Sequence, residues 1–133
     1  NPNPDVIKRS YDFSRCPYLE SLNTEGKYKG IRNYLQACSL ILISSQAQRQ
    51  KLNNSIIFKA FMTLFPEILE RCYKRHENFK EESFVDVLKP VSSLDFDEYT
   101  GTNNVTLNRI LTDIKRELLK AERSESVNSS LLF

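Results

Sequence analysis

The chain has no tryptophan, a single histidine, three cysteines and three glycines in 133 residues. The cysteines, Cys16, Cys38 and Cys72, are odd in number and far apart, with no C-x-x-C among them. That pattern excludes a disulfide scaffold and fits a reducing compartment, with Cys38 and Cys72 acting as small hydrophobes on helix faces. A cysteine nucleophile needs a base, and His76 is the sole histidine; it lies in a basic run, Arg71 to His76, where charge at a helix end explains it. Four scattered N and S donors do not make a tetrahedral zinc site. Gly26, Gly30 and Gly101 do not assemble into a phosphate-cradling loop, and no cofactor-binding pattern is present. The longest apolar run, Leu40 to Ile43, has four residues, far short of the ~20 that span a bilayer. Net charge is only +2, too little to imply nucleic acid by itself. The chain opens on Asn1 with no basic-then-apolar leader, which suggests a piece of a longer protein. These absences argue against an enzyme, a membrane protein and a collagen or coiled-coil rod.

What remains is an ordinary globular composition, 40% apolar and 27% charged, and a length that suits one domain. Residues 1–27 carry Pro2, Pro4 and Pro17 without a sustained helical period, and read as a connecting segment ahead of a domain over 28–123. Ile31, Tyr34, Leu35, Cys38, Ile41 and Leu42 recur at helical spacing and predict a helix from Gly30 to about Arg49. Asn53, Asn54 and Ser55 stop it and cap the next. Eight of the ten residues from Ile56 to Phe65 are apolar, and the helical pattern resumes after Pro66, which should kink or divide it, to His76. A third helix begins at Ser83 and is disturbed by Pro90. Leu94 to Tyr99 alternates like a strand, Thr100 to Asn104 has turn chemistry, and Val105 to Leu107 suits a returning strand. Ile110, Leu111, Ile114 and Leu118 then mark a closing helix to about Arg123, and 124–133 reads as a flexible tail ending in Leu131, Leu132 and Phe133. Three helices, a β-hairpin and a last helix is the order of a variant winged helix-turn-helix, mainly α with a small hairpin. An irregular helical bundle, with Leu94 to Leu107 as a long loop, is the other arrangement the pattern permits.

From about Tyr28 to Arg123 the sequence resembles the C-terminal winged helix of the largest subunit of the origin recognition complex and its relatives. The segments that carry the resemblance are Asn33 to Leu42, Glu82 to Leu88, and Asn104 to Asn108 running into Thr112 to Leu118. Within that family it is most similar to the heterochromatin-silencing branch. The resemblance implies a winged helix behind an AAA+-like domain in a nuclear protein of silent loci and telomeres. It also implies two possible jobs: touching DNA, as origin proteins do, or self-association that helps a transcriptional silencing protein load and spread on nucleosomes.

The residues favour the second. A recognition helix needs cations for phosphates and Arg, Lys, Asn or Gln for bases. From Glu81 to Glu98 this chain has six carboxylates against one cation, Lys89, and the Thr100 to Asn104 tip has neither Arg nor Lys. Basic residues elsewhere (Lys27, Lys29, Arg32, Arg49, Lys51, Arg71, Lys74 and Arg75) are scattered. Sequence-specific DNA binding is therefore not expected.

At 100° per residue, Ile57, Phe61, Leu64 and Ile68 form one line on the second helix, and Phe58, Met62, Phe65, Leu69 and Cys72 another. Together they give an apolar arc near 180°, against about 100° for an ordinary surface helix. Leu40, Ile43 and Ala47 likewise point away from the Ile31–Leu42 face of the first helix. The surplus apolar surface predicts a partner, and a homodimer interface of Phe58, Met62, Phe65 and Leu69 with Leu40 and Ile43. A different cover is also open: residues 1–26, with Val6, Ile7, Phe13, Tyr18 and Leu19, folding back over these faces. Other silencing proteins and nucleosomes are the partners expected of the full-length protein.

Overall fold

The structure, a computed structural model, describes residues 21–45, 52 and 54–131, the last eight by backbone alone. Four helices account for most of it: α1 (Thr24–Ser44), α2 (Ser55–His76), α3 (Glu81–Leu88) and α4 (Asn104–Leu131). Two short 3₁₀ turns, Lys89–Ser93 and Phe96–Glu98, lie between α3 and α4. The chain is mainly helical, and no strand occurs among the described residues.

Local chemistry sets the helix ends. Asn23 caps α1, its Oδ1 accepting from the Gly26 N–H at 2.9 Å, so α1 starts before the Gly30 that periodicity picks out. Asn54 caps α2 through the N–H groups of Ile56 and Ile57. Pro66 neither divides nor ends α2; it lies buried inside a helix assigned without a break from Ser55 to His76. The cost of a missing N–H, about 3 kcal/mol, is offset there by the burial around it. At the far end Glu77 takes a left-handed conformation (φ 56°), and its N–H bonds the Tyr73 carbonyl. Asn78 organises the tight turn into α3: its Oδ1 accepts from the buried Ser83 hydroxyl at 2.6 Å and from the Lys80 N–H. Asn33 of α1 donates to the Phe79 carbonyl at 2.9 Å and ties the turn to the first helix.

α2 is the central element. It packs on α3 and α4, while α1 packs on α3 and the Lys89–Ser93 turn. Tyr34 of α1 is fully buried, its ring 4.7 Å from Phe65 and 5.5 Å from Phe84, and its hydroxyl donates to the Phe61 carbonyl. Phe96 stands 6.0 Å from Phe61 and extends the core toward α4. Ile110, Ile114 and Leu118 complete the core from α4.

The expected hairpin is not there, and the physical reason is local. Phe96 and Tyr99, three apart, both turn inward, which suits a 3₁₀ turn rather than a strand's alternation. Asp95 reinforces the turn by accepting from the Asp97 N–H at 3.0 Å. Asn103, read as a hairpin residue, is the N-terminal cap of α4, with its Oδ1 3.0 Å from the Thr106 nitrogen. Val105 to Leu107, the supposed returning strand, are the first turn of that helix. Gly101 turns the chain with φ 95°, and the Thr106 hydroxyl donates to the Thr100 carbonyl at 3.0 Å to hold the bend. At its other end α4 continues through residues 124–131, beyond the Arg123 boundary that composition suggests.

Candidate interaction surface

The apolar arc of α2 is used up inside the domain. Met62, Phe65 and Leu69 have no exposed surface, and Phe58 is half-buried against the core. The predicted interface along this line is therefore corrected: α3, α4 and, through Tyr34, α1 all pack on α2, so the extra width belongs to a central helix. Leu40 and Ile43 stand otherwise. They are exposed, at 42% and 71%, and the structure does not bring them together with the Phe58 line. Ala47 lies outside the described residues, as do Val6, Ile7, Phe13, Tyr18 and Leu19.

The outer face of α1 carries the exposed apolar surface. Its buried positions, Tyr34, Ala37, Cys38, Ile41 and Leu42, centre on one direction, and Ile43 projects roughly 180° from it. Tyr28, 63% exposed, lies on the same outward side. Beside it runs a groove of about 420 Å³ lined by Tyr28, Ile31, Arg32, Leu35, Gln36, Ser39 and Leu52. From Asn33 to Ser45 the helix has no charged residue. Charge depletion around an apolar centre is the compositional mark of interface cores. Periodicity alone missed Tyr28 and the groove, because it starts the helix at Gly30; Asn23 as a cap, followed by Glu25 in the first turn, was the signal that places Tyr28 on the helix.

Several charged side chains are engaged with one another across and along the helices. Arg71 bonds Glu122 of α4 and lies 3.9 Å from Glu67, and Arg116 lies 3.1 Å from Asp113. His76 Nε2 and Arg75 converge on Asp86 of α3, at 2.8 and 3.4 Å. Partial burial pushes the Asp86 carboxyl up, but the hydrogen bonds and charges of His76 and Arg75 outweigh it and hold the group below its ordinary range. His76 is thus a strut between α2 and α3. A cleft of about 330 Å³ lies over this region, bordered by Arg71, Lys74, Arg75, Val87 and Leu118, and two of its three cations are already paired. On α3 the exposed side chains include Glu82 and Asp86.

Cys38 and Cys72 are buried free thiols, and Cys72 donates to the Asn78 carbonyl at 3.2 Å. Burial raises the Cys38 thiol far above its ordinary value, which keeps it neutral and unreactive. Among the described residues no three His, Cys, Asp or Glu side chains are grouped to hold a metal, and no helix is long and apolar enough to cross a membrane. Compared with protein-family models, curated proteins and solved structures, the chain matches none.

Proposed function

We propose that this domain is a non-catalytic module that pairs two copies of its chain, within a nuclear chromatin-silencing protein related to the largest origin recognition subunit. In this reading the domain is a winged helix whose wing has given way to the loop before α4. The observation that carries it is the outer face of α1, where Ile43 and Leu40 stand exposed on a helix stretch without charge. An apolar group at 71% exposure gains by being covered, at about 25 cal/mol for each Å² removed from water.

Pairing two copies makes the second of two weak nucleosome contacts intramolecular, so the full protein gains avidity at silent loci and telomeres without a new contact. The acidic residues of α3 speak against the alternative, a DNA-binding winged helix of an origin protein, since they set like charge against phosphate. Sedimentation equilibrium from ~1 to ~100 μM, a range suited to weak protein association, tests the reading. The expected result is a rise from the 15.5 kDa chain mass toward twice that value. A single species at 15.5 kDa throughout would overturn it.

A further inference from the structure

We propose that the outward face of α4 docks an acidic protein segment, one that presents carboxylates around an apolar side chain. This face lies on a different helix from the one the pairing reading uses.

The sequence of α4 segregates its charges. Ile110, Ile114 and Leu118 are buried and set the inward direction. At 100° per residue, Arg109, Arg116, Lys120 and Arg123 all fall within about 60° of the opposite, outward direction. The carboxylates of the same stretch, Asp113, Glu117 and Glu122, lie about 80–120° away from it. Each of them is engaged: Asp113 with Tyr99 and Arg116, Glu117 with Lys120, and Glu122 with Arg71. From Val105 to Arg123 the outward sector thus holds four cations and no carboxylate. A surface of one sign attracts a partner of the other.

Two of the cations are held in place from below. Arg109 lies over the Tyr99 ring, 5.2 Å from its centre, and Arg116 lies 3.1 Å from Asp113. A guanidinium whose position is already set loses less freedom when a second carboxylate arrives. Arg123 pairs with none of the described residues. Two apolar side chains share the sector, Val105 at 76% exposure and Leu119 at 46%. Arg116 and Arg123 stand one helical turn to either side of Leu119.

That mixture selects the occupant. Nucleic-acid phosphates would satisfy the cations but set a charged backbone against Val105 and Leu119. An anionic bilayer calls for a broad apolar face, and two aliphatic side chains ~21 Å apart along a helix do not make one. A protein segment supplies both needs: carboxylates for the forked guanidinium contacts and an apolar group to cover the leucine. From Arg109 to Arg123 the sector runs ~21 Å, room for a helical segment of about four turns.

Fluorescence anisotropy of the full chain with a labelled peptide tests the proposal. The probe is a glutamate-rich helical peptide of ~14 residues with two leucines one turn apart. Binding is expected at a Kd of ~10–100 μM in ~0.05 M salt, weakening as salt screens the charges. Arg123→Glu should weaken it at least about fivefold and Leu119→Ser about threefold. Arg32→Glu makes the same charge change on α1 and should alter it by less than about twofold. All three side chains are exposed, so the variants should keep the wild-type circular dichroism. Duplex DNA and phosphatidylserine vesicles are the rival probes, and neither is expected to bind as tightly as the peptide. Tighter binding to either would overturn the choice of a protein partner. Equal losses in Arg123→Glu and Arg32→Glu would mean that net charge alone attracts the peptide, and would overturn the surface. No peptide binding up to ~1 mM would overturn the proposal outright. The pairing reading is decided separately, by the mass of the chain without peptide.

Discussion

The Tyr99 hydroxyl donates a 2.7 Å hydrogen bond to the Asp113 carboxylate, joining the loop that stands in place of a hairpin to the third turn of α4. The Tyr99 ring also lies 6.0 Å from Phe96 and beneath the Arg109 guanidinium, 5.2 Å from its centre. Desolvation, helped by the hydrogen bond to Asp113 and that group's negative charge, raises the phenol far above its ordinary value.

Tyr99→Phe removes the donor and keeps the ring. A charge-assisted bond of this kind contributes about 1.5–3 kcal/mol, so urea unfolding should show a loss near the lower figure. Asp113 also pairs with Arg116, so Asp113→Asn should cost less than the hydroxyl's removal added to that second contact. A double-mutant cycle with Tyr99→Phe is expected to return a coupling of about 1 kcal/mol or more. A coupling near zero would mean that the loop is held by Phe96 and Tyr99 burial alone.

Phe65→Asp and Ile43→Asp should part company. Phe65 is fully buried with its ring against Tyr34, so a carboxylate there has neither water nor a partner. Loss of the fold is expected, with a penalty of several kcal/mol. Ile43 faces water, and Ile43→Asp should keep its helical circular dichroism and its melting temperature to within a few degrees. A folded Phe65→Asp protein would show that the α2 face opens more easily than its packing implies.

Alkali should weaken the fold through Tyr34 and Cys38. Burial raises both groups, and for Tyr34 the neighbouring thiol adds to the effect by its charge and hydrogen bond. In the unfolded chain the thiol ionises near ~8.5 and the phenol near ~10, while in the folded chain both keep their protons to higher pH. Their contribution is therefore complete below about pH 8 and falls as pH rises past those values, because only the unfolded state releases the protons. Urea midpoints taken from pH 7.5 to 10.5 should decline, and Tyr34→Phe should make the decline shallower. Equal slopes in wild type and variant would remove Tyr34 from the effect.

The helices were legible in the sequence because their apolar period is strong, but of the asparagines that cap them only Asn54 was read as a cap; Asn23 lay ahead of the Gly30 start and Asn103 looked like a turn residue. The hairpin was misread because Leu94 to Tyr99 satisfies a two-residue alternation and a three-residue turn equally well. Only the inward direction of Phe96 and Tyr99, a tertiary fact, separates the two. The wide arc of α2 was visible, but width alone does not say whether the second face meets a partner or another helix of the same chain. That depended on where α4 packs, and no residue spacing within α2 encodes it. Leu40 and Ile43 were picked out correctly as outward positions, since their angle on α1 follows from the core residues around them. The groove beside them was not, because it depends on Leu52, which reaches it from beyond the helix.

The position of α2 decides how the domain comes apart. Its side chains are shared by the surroundings of α3 and α4 and, through Tyr34, of α1, so no helix can leave without uncovering the same aromatic cluster. Such a plan has no seam between subunits of structure. The backbone amides of α2 should exchange with solvent only when the whole domain opens, as one cooperative block. Change that the core refuses is then left to the outer side of α1, where a new side chain alters what the domain meets without altering whether it folds.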